Sequence, residues 1–344
     1  MKMGRTLTVT LLSVLLFAVL AAACVLFGSV DIPAADVMSI LTGHDSGNSA
    51  WQIIVLQSRL PMVVTAALAG AALAVSGLLL QTTFNNPLAG PSILGVSTGA
   101  GLGVAIVMLA LGGTVGTAWG ETIGSYLATL LGAFLGAGFV LTILIACASL
   151  VRNSTMLLII GILVSYLASS VISLLNSMAT EEGLHSYVAW GFGTFSGVSL
   201  EQLPAYVLLI VLALFAAMLM VKPLNALLLG TRYAENLGVN THQTRILLLA
   251  VTGVLTAVVT AYCGPIGFVG LVVPHIARMV LRTSNHTTLL PLTILIGADV
   301  TLLCCLLSVT ARYGVIPINA ITPIIGVPVI LYVILNRHRI NYFN

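Results

Sequence analysis

Residues 65–81 read "TAALAGAALAVSGLLLQ" and lead to "NNPLAGPSILG" at 85–95. The same arrangement recurs later, where "LLLAVTGVLTAVVTAY" at 247–262 runs into "CGPIGFVGLVVPHI" at 263–276. Each is a small-residue apolar run closed by a Gly/Pro break. Gly70, Ala71, Ala74 and Gly77 would let another helix approach closely. Breaks at matching places in two halves of a membrane protein predict an inverted repeat.

The composition outside these segments agrees with a membrane protein. Of the 344 residues, 59% are apolar and 6% charged, where a soluble domain carries about a quarter charged. Apolar stretches of about 20 residues, the length of a helix that crosses a bilayer core, recur throughout. The segmentation gives about ten spans: 6–28, 61–81, 93–112, 123–149, 155–176, 203–221, 245–263, 267–282, 289–310 and 317–335. The N-terminal run imitates a signal peptide but is longer than a usual signal core, and it reads as a retained first span.

Charge fixes the orientation. With both termini in the cytoplasm, Lys2, Arg5, Arg152, Lys222, Arg232, Arg245, Arg278, Arg282, Arg337 and Arg339 all fall inside, as the positive-inside rule requires. Seven acids (Asp31, Asp36, Asp45, Glu121, Glu181, Glu182 and Glu201) then fall outside. Two basic residues, Arg59 and Arg312, break the bias and lie on the outer face. The expected class is an all-α polytopic membrane protein of about ten helices, with an inverted five-helix repeat and cytoplasmic termini.

Between spans six and seven lies "GTRYAENLGVNTHQ", 230–243. Thr231 reads as an N-cap, Arg232, Glu235 and Asn236 fall in the turns that follow, and Gly238 sits where a helix would stop. Two turns of helix cannot hold themselves together in water, so this segment needs a partner.

Catalysis is not indicated. No GxxxxGK[ST] loop, serine elbow, carboxylate pair or HExxH is present. The five cysteines lack CxxC spacing and the six histidines are scattered, so no metal ligand set is expected. Asp299, in the middle of span nine, is the intramembrane ionisable residue, a default candidate for a proton or cation site. The favoured reading is a hydrogen bond to a neighbouring helix, helped by Thr301 or a backbone group. The alternative is an ion-coupled secondary transporter built on Asp299.

The chain resembles the membrane permease of a type II ABC importer, of the FecCD-like family that takes up iron-siderophores, haem and cobalamin. The resemblance rests on "SRLPMVVTAALAGAALAVSGLLLQTTFNNPLAGPSILGVSTGAG", "GTRYAENLGV", "GPIGFVGLVVPHIAR" with "LLPLTILIGAD", and "IPINAITPIIGVPVILYVIL". It implies one transmembrane domain over residues 1–344 in the bacterial cytoplasmic (inner) membrane, with a cytoplasmic coupling segment near 225–243. It also implies a homodimer with the pathway on its two-fold axis. Two ATPase subunits would bind ATP and Mg, and an extracytoplasmic binding protein would deliver the cargo. This chain would contact lipid, bind no cofactor and engage no nucleic acid.

Residue by residue, the resemblance makes Thr231, Arg232, Glu235, Leu237 and Gly238 the ATPase-coupling positions. Asn86 and Leu88 in "NNPL", with Ser154 and Thr155 in "NSTM", match cytoplasmic gates. Arg59 matches the first arginine of the family's outer R-L-P-R motif, which docks the binding protein; Met62 stands where the second would be. Arg312 resembles a third docking arginine, with Val315 in place of the usual acid near it. The implied cargo is a bulky iron chelate (ferric siderophore or haem) or cobalamin.

Overall fold

The computed structural model describes residues 2–44, 47–112, 115–116, 122–151, 154–310 and 314–335. In chain order the α-helices are α1 (Lys2–Leu26), α2 (Ala34–Leu41), α3 (Ser49–Ile53), α4 (Leu60–Thr83), α5 (Val96–Ala105), α6 (Ser125–Leu150), α7 (Ser154–Met178) and α8 (Glu181–Gly191). They continue with α9 (Leu203–Leu219), α10 (Val221–Leu227), α11 (Thr231–Asn236), α12 (Thr241–Cys263), α13 (Val269–Leu281), α14 (His286–Val309) and α15 (Ile318–Leu335). A two-residue antiparallel strand pair, Val115–Gly116 with Thr122–Ile123, is the β-structure among the described residues.

Six helical stretches are long and apolar enough to cross a membrane: 4–26, 49–83, 125–150, 155–178, 241–263 and 286–309. Helices α9 and α10 form a seventh, bent by 50° at Met220. Three shorter apolar stretches, Val96–Ala110, Val269–Leu281 and Ile318–Val333, account for the remaining expected spans. The ten expected segments therefore each contain a helix, though three are shorter than a full crossing.

Hydrogen bonds at the helix ends agree with alternating crossings. On the inner side, Arg5 Nε donates to Val280 O at 2.8 Å, joining the start of α1 to the end of α13. Asn225 in α10 meets the start of α14, and Arg245 at the start of α12 reaches the end of α6. At the opposite side, Arg59 joins the start of α4 to the end of α1.

Span two departs from its expected bounds. Its helix starts at Ser49, with Asn48 as N-cap, and passes through a π-helical turn at Ile54–Arg59. Pro61 has no N–H to donate to the preceding turn. The backbone widens there, and Leu60 N donates to Val55 O, five residues back.

Helix α4 is the centre of the molecule and is buried along most of its length. It packs against α14, α12, α13 and α9. The packing repeats between halves: α4 on α14 mirrors α12 on α6, α4 on α13 mirrors α12 on α5, and α5 on α6 mirrors α13 on α14. Likewise α5 on α7 corresponds to α13 on α15. The expected inverted repeat is thus seen in the packing of four helices of each half, α4–α7 with α12–α15.

Glycine makes these crossings close. A methyl on Gly70 would strike Gly297 O and Thr301 Oγ1, and one on Gly77 would strike Gly270 O. The same close contact joins α5 to α6, with Gly103 against Gly132 and Gly136 against Gly99. Backbone contact of this kind supplies dispersion where the hydrophobic effect between helices is absent. Thr301 Oγ1 adds a hydrogen bond across the first seam, to Ala66 O at 2.7 Å.

Both Gly/Pro breaks have unusual backbone. The first ends in a 3₁₀ turn, Pro91–Leu94, with Gly95 at φ 78°. The second places Phe268 at φ 67° and ψ −36°, where Val269 N donates to Gly267 O at 2.8 Å. That is a γ-turn of positive φ, a strained form. Asn319 of α15 holds it, its Oδ1 accepting from Gly267 N at 3.2 Å and its Nδ2 donating to Gly191 O at 3.0 Å.

Candidate functional site

The segment 230–243 folds as the short helix α11, followed by a turn into α12. Gly230, at φ 95°, is the N-cap and Thr231 is the first helical residue, so the expectation that Thr231 caps the helix is corrected. Only glycine enters that conformation cheaply, which displaces the cap by one position. Gly238 stops the helix as expected, at φ 82°. Val239 N donates to Ala234 O at 3.0 Å and Gly238 N to Glu235 O at 2.9 Å, a Schellman closure.

Ala234 faces inward and is fully buried, whereas Thr231, Arg232 and Glu235 are exposed. Tyr233 in the helix and Leu237 at its C-cap are 68% and 66% exposed. Glu235 Oε1 accepts from Thr241 Oγ1 at 2.7 Å, which ties α11 to α12. Beside it opens a cavity of about 1000 Å³, with Thr83, Ser149, Glu235, Val239 and Arg245 in its wall. Arg245 Nη2 donates to Ala148 O at 2.8 Å and Val151 O at 2.6 Å, so its charge caps the end of α6.

The first gate segment is a tight turn after α4. Asn85 sits at φ 46°, a conformation asparagine tolerates, and Asn86 Oδ1 accepts from Leu88 N at 3.0 Å. Leu88 is 44% exposed. In the second segment Ser154 begins α7 and Thr155 is exposed; residues 152–153 and the Ser154 side chain lie outside the described residues.

Beneath the turn at residues 85–88 lies a buried polar cluster to which sequence reasoning gave no role. His275 Nε2 is 2.8 Å from Pro87 O, so α13 holds that turn. Arg278 Nη1 donates to Gln81 Oε1 at 2.5 Å, and Gln81 Nε2 donates to Leu271 O at 3.2 Å. His286 is fully buried between Thr82 and Asn225. The available signal was the pair Gln81–Thr82 closing an otherwise apolar span, and histidines set among apolar neighbours.

On the outer face the docking expectation for Arg59 is corrected. Arg59 is buried, 3% exposed. Its Nη1 donates to Val25 O at 2.8 Å and Leu26 O at 2.7 Å, and its Nη2 to Val30 O. The guanidinium closes the carboxyl end of α1, where carbonyls lack intrahelical partners. Met62 is also buried and accepts from Ser196 Oγ at 3.3 Å. Arg312 lies outside the described residues.

Asp299 is 5% exposed, and Ser13 Oγ of α1 donates to its Oδ2 at 2.5 Å. The partner is on a neighbouring helix, as the structural reading expected. Thr301 does not take part, since its hydroxyl is spent on Ala66 O. Oδ1 has no hydrogen-bond partner among the described residues.

An outer cavity of about 470 Å³ is lined by Ser97, Ser169 and Ser173, by the stacked rings of Tyr187 and Trp190, and by Asn319. Its wall joins α7, the short outer helix α8 and the start of α15.

Buried spans, an inverted repeat and an exposed cytoplasmic helix define a polytopic membrane permease. The FecCD transport family model matches residues 14–336, and the chain belongs to that family. The vitamin B12 import system permease protein BtuC of Citrobacter koseri is 35% identical over 319 residues, covering 90% of this chain and 93% of that one. The molybdate import system permease protein MolB of Haemophilus influenzae is 36% identical over 279 residues, covering 80% and 79%. A solved ABC transporter described as of metal-chelate type, in an inward-facing conformation, superimposes with a TM-score of 0.80 at 30% identity, covering 95% of this chain and 97% of that one. The chain is a type II ABC importer permease, a multi-pass protein of the cytoplasmic (inner) membrane, and its family is not catalytic.

Proposed function

We propose that residues 1–344 form one transmembrane domain that works as a homodimer and is driven by two separate ATPase subunits carrying ATP and Mg. In this reading α11 is the coupling helix. The observation that carries it is the exposure of Tyr233 and Leu237 on a helix too short to be stable alone. A cleft on the ATPase subunit supplies the missing packing, while Arg232 and Glu235 make polar contacts at its rim. The turn at Asn86 and Leu88, with Ser154 and Thr155, forms the cytoplasmic gate.

The cargo arrives from a binding protein docked outside, with Arg312 contributing charge. It is a ferric siderophore, haem or cobalamin. The outer cavity suits such a neutral-walled passage, because its hydroxyls and rings offer weak contacts rather than a trapping charge. The MolB relative makes molybdate the comparison ligand for binding-protein affinity measurements.

Deleting residues 232–237 tests the coupling role. Expected is a permease that still inserts and dimerises but no longer co-purifies with the ATPase subunits, and uptake that is lost. Normal uptake by the deletion would remove α11 from the coupling site.

A further inference from the structure

The coupling helix and the gate turn are separate in sequence and are not in direct contact in any bond described above. One row of side chains, half-buried at its first member and buried at the others, spans the distance between them. It begins at Asn225 on α10. Between α10 and α11 the backbone has no slack: Leu228 N donates to Leu224 O, Leu229 N to Ala226 O and Gly230 N to Leu227 O, at 3.2, 3.1 and 3.0 Å. Ala234 N of α11 donates to Gly230 O at 3.0 Å and the two helices pack together, so a displacement of α11 is carried into α10.

Asn225 Oδ1 accepts from His286 N at 2.8 Å and lies 3.1 Å from His286 Nδ1. Its Nδ2 donates to Asn285 Oδ1 at 2.9 Å, which fixes the amide orientation. On the far edge of the ring, His286 Nε2 is 2.9 Å from Thr82 Oγ1. A neutral imidazole with its hydrogen on Nδ1 donates to Asn225 and accepts from the Thr82 hydroxyl, whose one hydrogen is shared with Leu78 O at 3.0 Å.

Thr82 is the penultimate residue of α4, and its carbonyl accepts from Asn85 N at 3.2 Å. The Gln81 carbonyl accepts from Asn86 N at 3.1 Å. The row thus ends on the backbone that shapes the gate turn. The other end of that turn is held from α13, through His275 and Pro87.

We propose that Asn225, His286 and Thr82 are positioning residues that transmit movement of the coupling helix to the gate turn. The imidazole is a planar strut without an internal rotor. The two ring-side residues, His286 and Thr82, are 0% and 5% exposed, so stretching the row leaves buried polar groups unpaired, and the row resists stretching. This inference rests on α11 being the coupling helix.

The test uses the complete permease–ATPase complex in lipid nanodiscs, with Cys147→Ser and an environment-sensitive fluorophore on Leu88→Cys. ATP with Mg is the probe, and the readouts are the fluorophore response and the rate of ATP hydrolysis. Expected is an ATP-driven response in this background that falls about fivefold or more in Thr82→Val and in Asn225→Ala, with hydrolysis retained. Thr82→Ser, which restores the hydroxyl, should restore the response. A full response in Thr82→Val overturns the link while leaving the coupling role standing. That variant keeps the side-chain volume, so it decides the matter even if Asn225→Ala does not fold. Absence of any response in the background, with ATPase subunits bound, would instead remove the coupling role and the link together.

Discussion

Arg59 shows how a residue type misleads when its direction is unknown. A positive charge on the outer side of an inside-positive protein invites a partner, yet the guanidinium is turned onto the last carbonyls of α1. Hydrogen bonds from a charged donor contribute about 1.5–3 kcal/mol each. Arg59→Met should therefore lower the detergent melting temperature and the folded yield without a specific effect on binding-protein affinity. Arg312→Glu should do the reverse, weakening binding-protein association most at low salt, where charge attraction is unscreened. Equal binding by wild type and Arg312→Glu at both salt concentrations would exclude Arg312 from docking. Asp299 makes a second residue-scale case. Its carboxylate receives the Ser13 hydroxyl across α1 and α14, a bond that an amide oxygen accepts equally well. Asp299→Asn is expected to keep uptake near wild type, while Asp299→Leu loses folded protein because Ser13 is left facing hydrocarbon. Loss of uptake by a well-folded Asn variant would point to proton or ion traffic through the carboxylate.

At the scale of elements, the ten spans were legible because twenty apolar residues in a row have few other fates. The stop at Gly238 was legible too, since a Schellman turn needs a residue that accepts positive φ. Gly238→Ala should cost about 1 kcal/mol at φ 82° and fray α11. It should reduce ATPase-subunit affinity more than permease stability, measurable by co-purification against thermal melting. Other features were marked by a single proline at most. The π-turn before Pro61 has no periodicity that marks it, and the bend at Met220 follows from Pro223, which has no N–H to donate to Leu219 O. The row from Asn225 to Thr82 was illegible for a different reason. Its partners are 61 and 204 residues apart, and local pattern says nothing about which polar ends will meet.

Taken as a whole molecule, the permease has a dense centre and a looser periphery. Helix α4 is locked to α13 and α14 through Gly77, Gly270, Gly70 and Gly297, while α7 leaves Tyr166, Leu167 and Leu174 largely exposed. Gly77→Ala should open the seam with α13 at a cost of about 2 kcal/mol or more, seen as lower thermal stability. Gly138→Ala, where a methyl meets nothing within 4 Å, should be neutral or slightly stabilising. If both substitutions lower stability equally, close backbone contact is not what holds the centre. The glycine seams also bear on descent. Where carbonyl lies against α-carbon, hardly any substitution is compatible with the fold, so inheritance has little freedom at those sites. The walls formed by α7, α8 and α15 carry no such restriction along most of their length. Under the proposed function, new cargoes can therefore be acquired by changing those walls while the glycine-seamed block is passed on unaltered.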